Sequence, residues 1–270
     1  MKKLQLILLA ALAFANANAQ KLPNKQEASV RIPSNVKIDG KSTEWNNQFQ
    51  AYNISTEFYY TLANNNDDLY LIVQAKNRYV FNKIIDRGLT LTVKNTIGGK
   101  AASFTFPYKA FKGRERLSST FAGDILEDVA TLSEDELAHN NKVLRDNHKF
   151  IKVAGVEGVD SLVSLYNENG IKAAELFDSN RAYTLEIAVS LKLLGLSPAN
   201  SAKIWYGLKV NPIEGIPALR GSSIIIGAGG RDITAEASPE LKAQAESFGN
   251  KKFADLFGGT GFEGEYTLAK

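Results

Sequence analysis

Asn64-Asn65-Asn66-Asp67-Asp68-Leu69-Tyr70-Leu71-Ile72-Val73-Gln74-Ala75 is a cluster of turn-forming side chains running straight into an alternating strand. Asparagine and aspartate bond their own backbone and tolerate turn conformations, so residues 64–68 predict a tight connection. The preceding stretch, residues 54–63, also has strand character, which makes the pair a β-hairpin. On the second strand Leu69, Leu71, Val73 and Ala75 share one face and Tyr70, Ile72 and Gln74 the other, because side chains alternate along a strand.

The period of two continues outward. Leu89-Thr90-Leu91-Thr92-Val93 alternates, and residues 103–108 form a short aromatic strand stopped or bent at Pro107. Strands follow at 149–154, 171–177, 183–189 and 204–210, with a closing strand at 265–269. Asp178-Ser179-Asn180 turns one hairpin, and residues 190–195 form a helical turn ended by Gly195. Many short strands at this spacing predict a mainly β fold, a two-sheet antiparallel β-sandwich. Between Gly113 and Phe150 the period changes. Ser133 and Glu136 have capping-box spacing and Leu137, Asn141 and Leu144 share a stripe, so residues 113–150 predict a separable helical insertion. Ser238-Pro239-Glu240 opens a short C-terminal helix with Leu241, Ala245 and Phe248 on its buried side.

Residues 1–19 read as a signal peptide. Lys2 and Lys3 precede an apolar run, and Ala17-Asn18-Ala19 is a small-x-small cleavage site that leaves Gln20 as the new terminus. The run falls short of the ~20 residues a membrane span needs. Without a cysteine after the cleavage point lipidation is not expected, so the product is periplasmic, secreted or held at the cell surface. Residues 20–35 read as a loose polar lead-in and 36–270 as one domain.

Of 270 residues, 44% are hydrophobic and 23% charged, which excludes a disordered chain. The formal charge of +3 falls to about +1 without Lys2 and Lys3, too little to favour nucleic acid. Cysteine is absent, which removes disulfides, thiolate zinc sites, iron–sulfur clusters and thiol nucleophiles. The two histidines, His139 and His148, fall in the insertion without metal-site spacing and are expected to face solvent. No cofactor is expected. A structural calcium stays open, since Asn64–Asp68 and the acidic patch 124–136 offer oxygens, although the EF-hand order is missing. The stretch Ser223 to Gly230 resembles a dinucleotide-binding turn, but Asp232 stands where that turn needs glycine or alanine.

Aromatic residues point to a ligand. In 204–210 the core face is Ile204, Tyr206, Leu208 and Val210, which leaves Trp205, Gly207 and Lys209 on the other. A tryptophan between glycine and lysine suits a stacking platform for a sugar ring. If 183–189 and 204–210 pair, Glu186 shares that surface as a hydrogen-bond acceptor. The alternative is that the insertion covers this face and buries Trp205.

Val36-Lys37-Ile38-Asp39-Gly40-Lys41-Ser42-Thr43-Glu44-Trp45 resembles the opening of family 9-like carbohydrate-binding modules, which belong with DOMON-like sandwiches. Residues 66–71, 183–191 and 193–196 agree with the family in order, and 264–268 fits its last strand. The resemblance implies a β-sandwich of two antiparallel sheets and leaves the function open, since such domains serve as ligand-binding and as electron-transfer modules. The family's stacking tryptophans do not map residue by residue onto this chain, and Trp45 lies where packing and ligand contact are both open. Methionine-ligated haem, known among DOMON relatives, is excluded because the one methionine is Met1. The expected function is a non-catalytic extracytoplasmic module for a glycan or other small ligand, with Trp205, Glu186, Lys209 and Trp45 as candidate ligand-binding residues. The alternatives are an envelope assembly protein that binds another envelope protein, or a carbohydrate hydrolase using carboxylates such as Glu186.

Overall fold

The structure, a computed structural model, describes residues 21–95, 99–109, 132–200, 202–212, 236, 238–239 and 258–270. Eleven strands among them form two antiparallel sheets. The first sheet has the order β1 (Ala51–Asn53), β2 (Phe58–Asn64), β3 (Asp68–Ala75), β9 (Tyr183–Ser190), β8 (Ile171–Phe177). The second has the order β11 (Thr260–Thr267), β10 (Lys203–Val210), β4 (Leu89–Asn95), β5 (Ala102–Phe106), β6 (Phe150–Ala154), β7 (Leu162–Ser164). Leu69, Leu71, Val73, Leu185, Ile187, Leu91, Ile204 and Leu208 fill the layer between the sheets. A β-sandwich was expected, and the alternation of β3, β9 and β10 is its cause.

The asparagine cluster works in two ways. Asn65 Oδ1 accepts the backbone N–H of Asp67 and Asp68 at 2.8 and 2.6 Å, which closes the β2–β3 turn. Asn64 is buried, and its amide ties the C-terminus down: it donates to Ala269 O and accepts from Ala269 N and the Tyr266 hydroxyl.

Two helices occur among the described residues. The first, α1 (Arg78–Arg87), lies in the β3–β4 connection, where the sequence reading placed no element. Asn77 caps it by accepting from Tyr79 N, and Val80, Phe81 and Ile84 bury one face. The second, α2 (Glu134–Asn147), carries the expected capping box of Ser133 and Glu136 and buries Leu137, Asn141 and Leu144.

Three expectations need correction. The helical part of the insertion is not an appendage: Leu137 and Leu144 join the main core, and Asn141 brackets Phe177, donating to its carbonyl at 2.9 Å and accepting its N–H at 2.8 Å. The amide of Asn141 thereby serves as the missing neighbour of edge strand β8. The lead-in is not loose from Lys21 onward. The Gln26 side chain donates to Leu62 O and accepts Leu62 N, both at 2.7 Å, and Val30 and Ile32 bond the backbone of Asn64. Leu22, Val30 and Ile32 also pack on a second apolar cluster that contains Trp45, Phe49, Tyr70 and Ile72. The third correction is His148. It is buried rather than solvent-facing, and its Nδ1 meets Glu175, which also accepts the Tyr183 hydroxyl. His139 is exposed.

Residues 113–131 of the expected insertion, the glycine-rich stretch 223–230 and the body of the helix expected from Ser238 lie outside the described residues. Among the described residues no helix is long and apolar enough to cross a membrane.

Candidate functional site

Strand β10 carries the candidate platform. Ile204, Tyr206, Leu208 and Val210 are buried on its inner face, and Trp205, Gly207 and Lys209 take the outer one. Its neighbours fix what surrounds the indole. Trp205 stands opposite Lys94 on β4 and Glu265 on β11, Gly207 opposite Thr92 and Glu263, and Lys209 opposite Thr90 and Gly261. Directly opposed residues in an antiparallel pair share a face, so these side chains form one outward-facing patch. The indole lies back along its own strand: a β-carbon placed on Gly207 would come within 3.2 Å of Trp205 Cη2. Glycine at 207 leaves the room in which the six-membered ring settles. Trp205 is half-buried and Lys209 exposed. Glu265 is paired with Lys203, so the carboxylate beside the ring is already partly neutralised.

Glu186 is not part of this patch. Strand β9 pairs with β3 and β8 in the first sheet, whereas β10 pairs with β4 and β11 in the second, so Glu186 and Trp205 belong to different sheets. Glu186 is fully buried beneath the loop that contains Asp39 and Gly40. Its Oε2 accepts the backbone N–H of Asp39 at 2.7 Å and of Gly40 at 2.6 Å, and its Oε1 accepts the Tyr70 hydroxyl. Burial pushes its carboxyl up to about 7, against the downward pull of Tyr70, Gly40 and Asp39. Burial, with the Glu186 charge beside it, also pushes the Tyr70 hydroxyl well above its ordinary range. Trp45 completes this network from inside: it is buried, its Nε1 donates to Tyr70 Oη at 3.2 Å, and its ring stacks on Tyr70 at 5.3 Å. Trp45 and Glu186 are therefore packing residues, which corrects their candidacy as ligand contacts.

Sequence reading found Trp205 and Lys209 but missed Lys94, Thr92, Glu263 and Glu265. Alternation along β4 and β11 would have assigned their faces, yet nothing in a single sequence says which strands become neighbours. Among the described residues no group of three or more His, Asp or Glu side chains is placed to hold a metal. The oxygens of the 64–68 turn are engaged in part: those of Asn64 and Asn65 serve the backbone, and Asn66 Oδ1 accepts from Arg31 at 3.0 Å.

Compared with known proteins, the chain matches no family model, no curated protein and no solved structure at a level that carries an argument.

Proposed function

We propose that the chain is a non-catalytic extracytoplasmic binding module that takes a glycan on the outer face of its second sheet, with Trp205 as the stacking platform. The observation that supports this reading is the lie of the indole along β10 over Gly207, with lysine and glutamate on either side of it. A sugar ring offers an apolar C–H face to such a ring and hydroxyls to its rim, and Lys94, Glu265 and Lys209 supply donors and acceptors there. Glu186 has no role in this reading, since its oxygens are taken and it is closed off from solvent.

Fluorescence titration with neutral cello-, xylo- and galacto-oligosaccharides tests the proposal. At least one is expected to quench the emission of Trp205 while buried Trp45 stays silent. Trp205→Ala is expected to weaken binding at least about fivefold, from ~1 kcal/mol of stacking beyond area burial. Its stability cost is expected to stay below about 2 kcal/mol, less than the ~3–5 kcal/mol of truncating a fully buried tryptophan. A loss in the higher range, with no glycan response in the parent chain, would favour the envelope assembly reading.

A further inference from the structure

A cleft of about 390 Å³ opens on the first sheet, away from the β10 platform. Its walls are the loop after Gly40, the first two turns of α2 and the β8–β9 turn. All three walls are held in place by bonds of their own. The Ser42 hydroxyl donates to Asn47 Oδ1 at 2.7 Å, and Asn141 fixes α2 to Phe177. Asp178 Oδ1 accepts the N–H of Asn180 and Ala182, and Arg181 reaches back to Leu132 O at 2.8 Å and to Glu134 at 3.1 Å. The cleft is thus preformed, and its volume falls within the ~300–1,000 Å³ of small-ligand sites.

The lining decides the class of ligand. Leu137, Ala138, Leu176 and Phe177 supply the apolar part of the lining, and the other lining residues are polar or charged. Lys41 stands at one side, while Glu134 and Asp178 come from the other walls. Lys41 already has Asp39 at 3.5 Å, and Glu134 has Arg181. An anion entering here would meet Glu134 and Asp178, and a cation would meet Lys41. A wholly apolar guest would strip water from the rim without replacing its hydrogen bonds. Hydroxyl groups both donate and accept, so a polyol satisfies lysine, amide and carboxylate together. We infer that this cleft is a second ligand site, which takes a neutral polyhydroxylated molecule of about one sugar ring with its C–H face on Leu137, Ala138 and Leu176. The site is independent of the Trp205 platform and of whether that platform binds.

Backbone amide NMR shifts of the full chain, titrated with glucose, galactose, xylose and cellobiose, test it. At about 100 mM a site with a Kd of ~20 mM is about four-fifths filled. At least one of these sugars is expected to move the amides of Ser42, Ala138, Ser179 and Asn180. Ala138→Phe places a ring in the cleft from an exposed helix position and is expected to weaken the response at least about tenfold, and Asn180→Ala at least about threefold. Trp205→Ala is expected to leave it unchanged. If Ala138→Phe fails to fold, Asn180→Ala carries the test alone. The inference is overturned if none of the four sugars moves these amides, or if sulfate or tetramethylammonium moves them more. It also fails if binding survives the cleft variants or disappears with Trp205→Ala.

Discussion

Glu186→Gln tests the buried network through pH. The folded carboxyl is raised to about 7 from 4.5, chiefly by burial. The native state therefore holds this proton over a range in which the unfolded chain has released it. A raised folded value contributes stability that is fully present below about 4.5 and lost as pH climbs through about 7. Linkage for one such group gives a loss of about 2 kcal/mol between pH ~5.5 and ~8. Glutamine keeps an acceptor for the Asp39 and Gly40 N–H groups but has no proton to release, so the variant lacks that slope. Urea denaturation of both proteins at several pH values measures it. The variant is expected to be less stable than the parent near pH ~5.5 relative to their difference near pH ~8, by that same ~2 kcal/mol. Parallel curves would refute the reasoning, because they would mean that Glu186 titrates alike in the folded and unfolded chains.

Three other substitutions follow from the packing. Asn141→Ala leaves the Phe177 N–H and C=O unpaired at the edge of β8 and is expected to cost about 2–4 kcal/mol in chemical denaturation; a loss under ~0.5 kcal/mol would contradict the bracket. Gly207→Val drives a β-carbon against the indole and is expected to change the near-ultraviolet dichroism of Trp205 and abolish any glycan quenching, whereas unchanged spectra would mean the ring does not lie there. Replacing residues 113–150 with a polar linker removes Leu137 and Leu144 from the core, each contributing roughly 2 kcal/mol or more, together with the Asn141 bracket. The shortened chain is expected to lose cooperative unfolding at room temperature, and a parent-like midpoint would restore the view of a separable insertion.

Faces were legible in the sequence and partners were not. Alternation put Leu69, Leu71 and Val73 on the inner face of β3 and Trp205 on the outer face of β10, and both assignments hold. The same alternation could not say that β9 and β10, consecutive strands, enter different sheets. That crossover separates Glu186 from Trp205. A charged residue in the middle of an alternating strand reads as solvent-facing, since nothing local reveals that the loop at Asp39 and Gly40 folds over it. Helix α1 was present in the spacing of Val80, Phe81 and Ile84 but is short and lies between two strong strands. Burial of His148 and docking of Gln26 depend on contacts far along the chain, with Glu175 and with Leu62.

The turn at Asp39 and Gly40 and the indole of Trp45 have a physical account that involves no ligand. Gly40 has φ +82°, and a β-carbon there would lie 2.7 Å from Glu175 C and Leu176 Cβ, so the turn can pass close over β8 only with glycine. That approach brings the N–H groups of Asp39 and Gly40 onto the Glu186 carboxylate, while Trp45, five residues on, covers Tyr70 and bonds its hydroxyl. The Asp39–Gly40 turn and Trp45 close over a buried carboxylate, whereas Lys41, Ser42 and Thr43 of the same stretch line the cleft. The proposed binding surfaces are Trp205 with Lys94, Glu265 and Lys209 on one sheet, and on the other the cleft that Lys41, Ser42 and Thr43 help to wall.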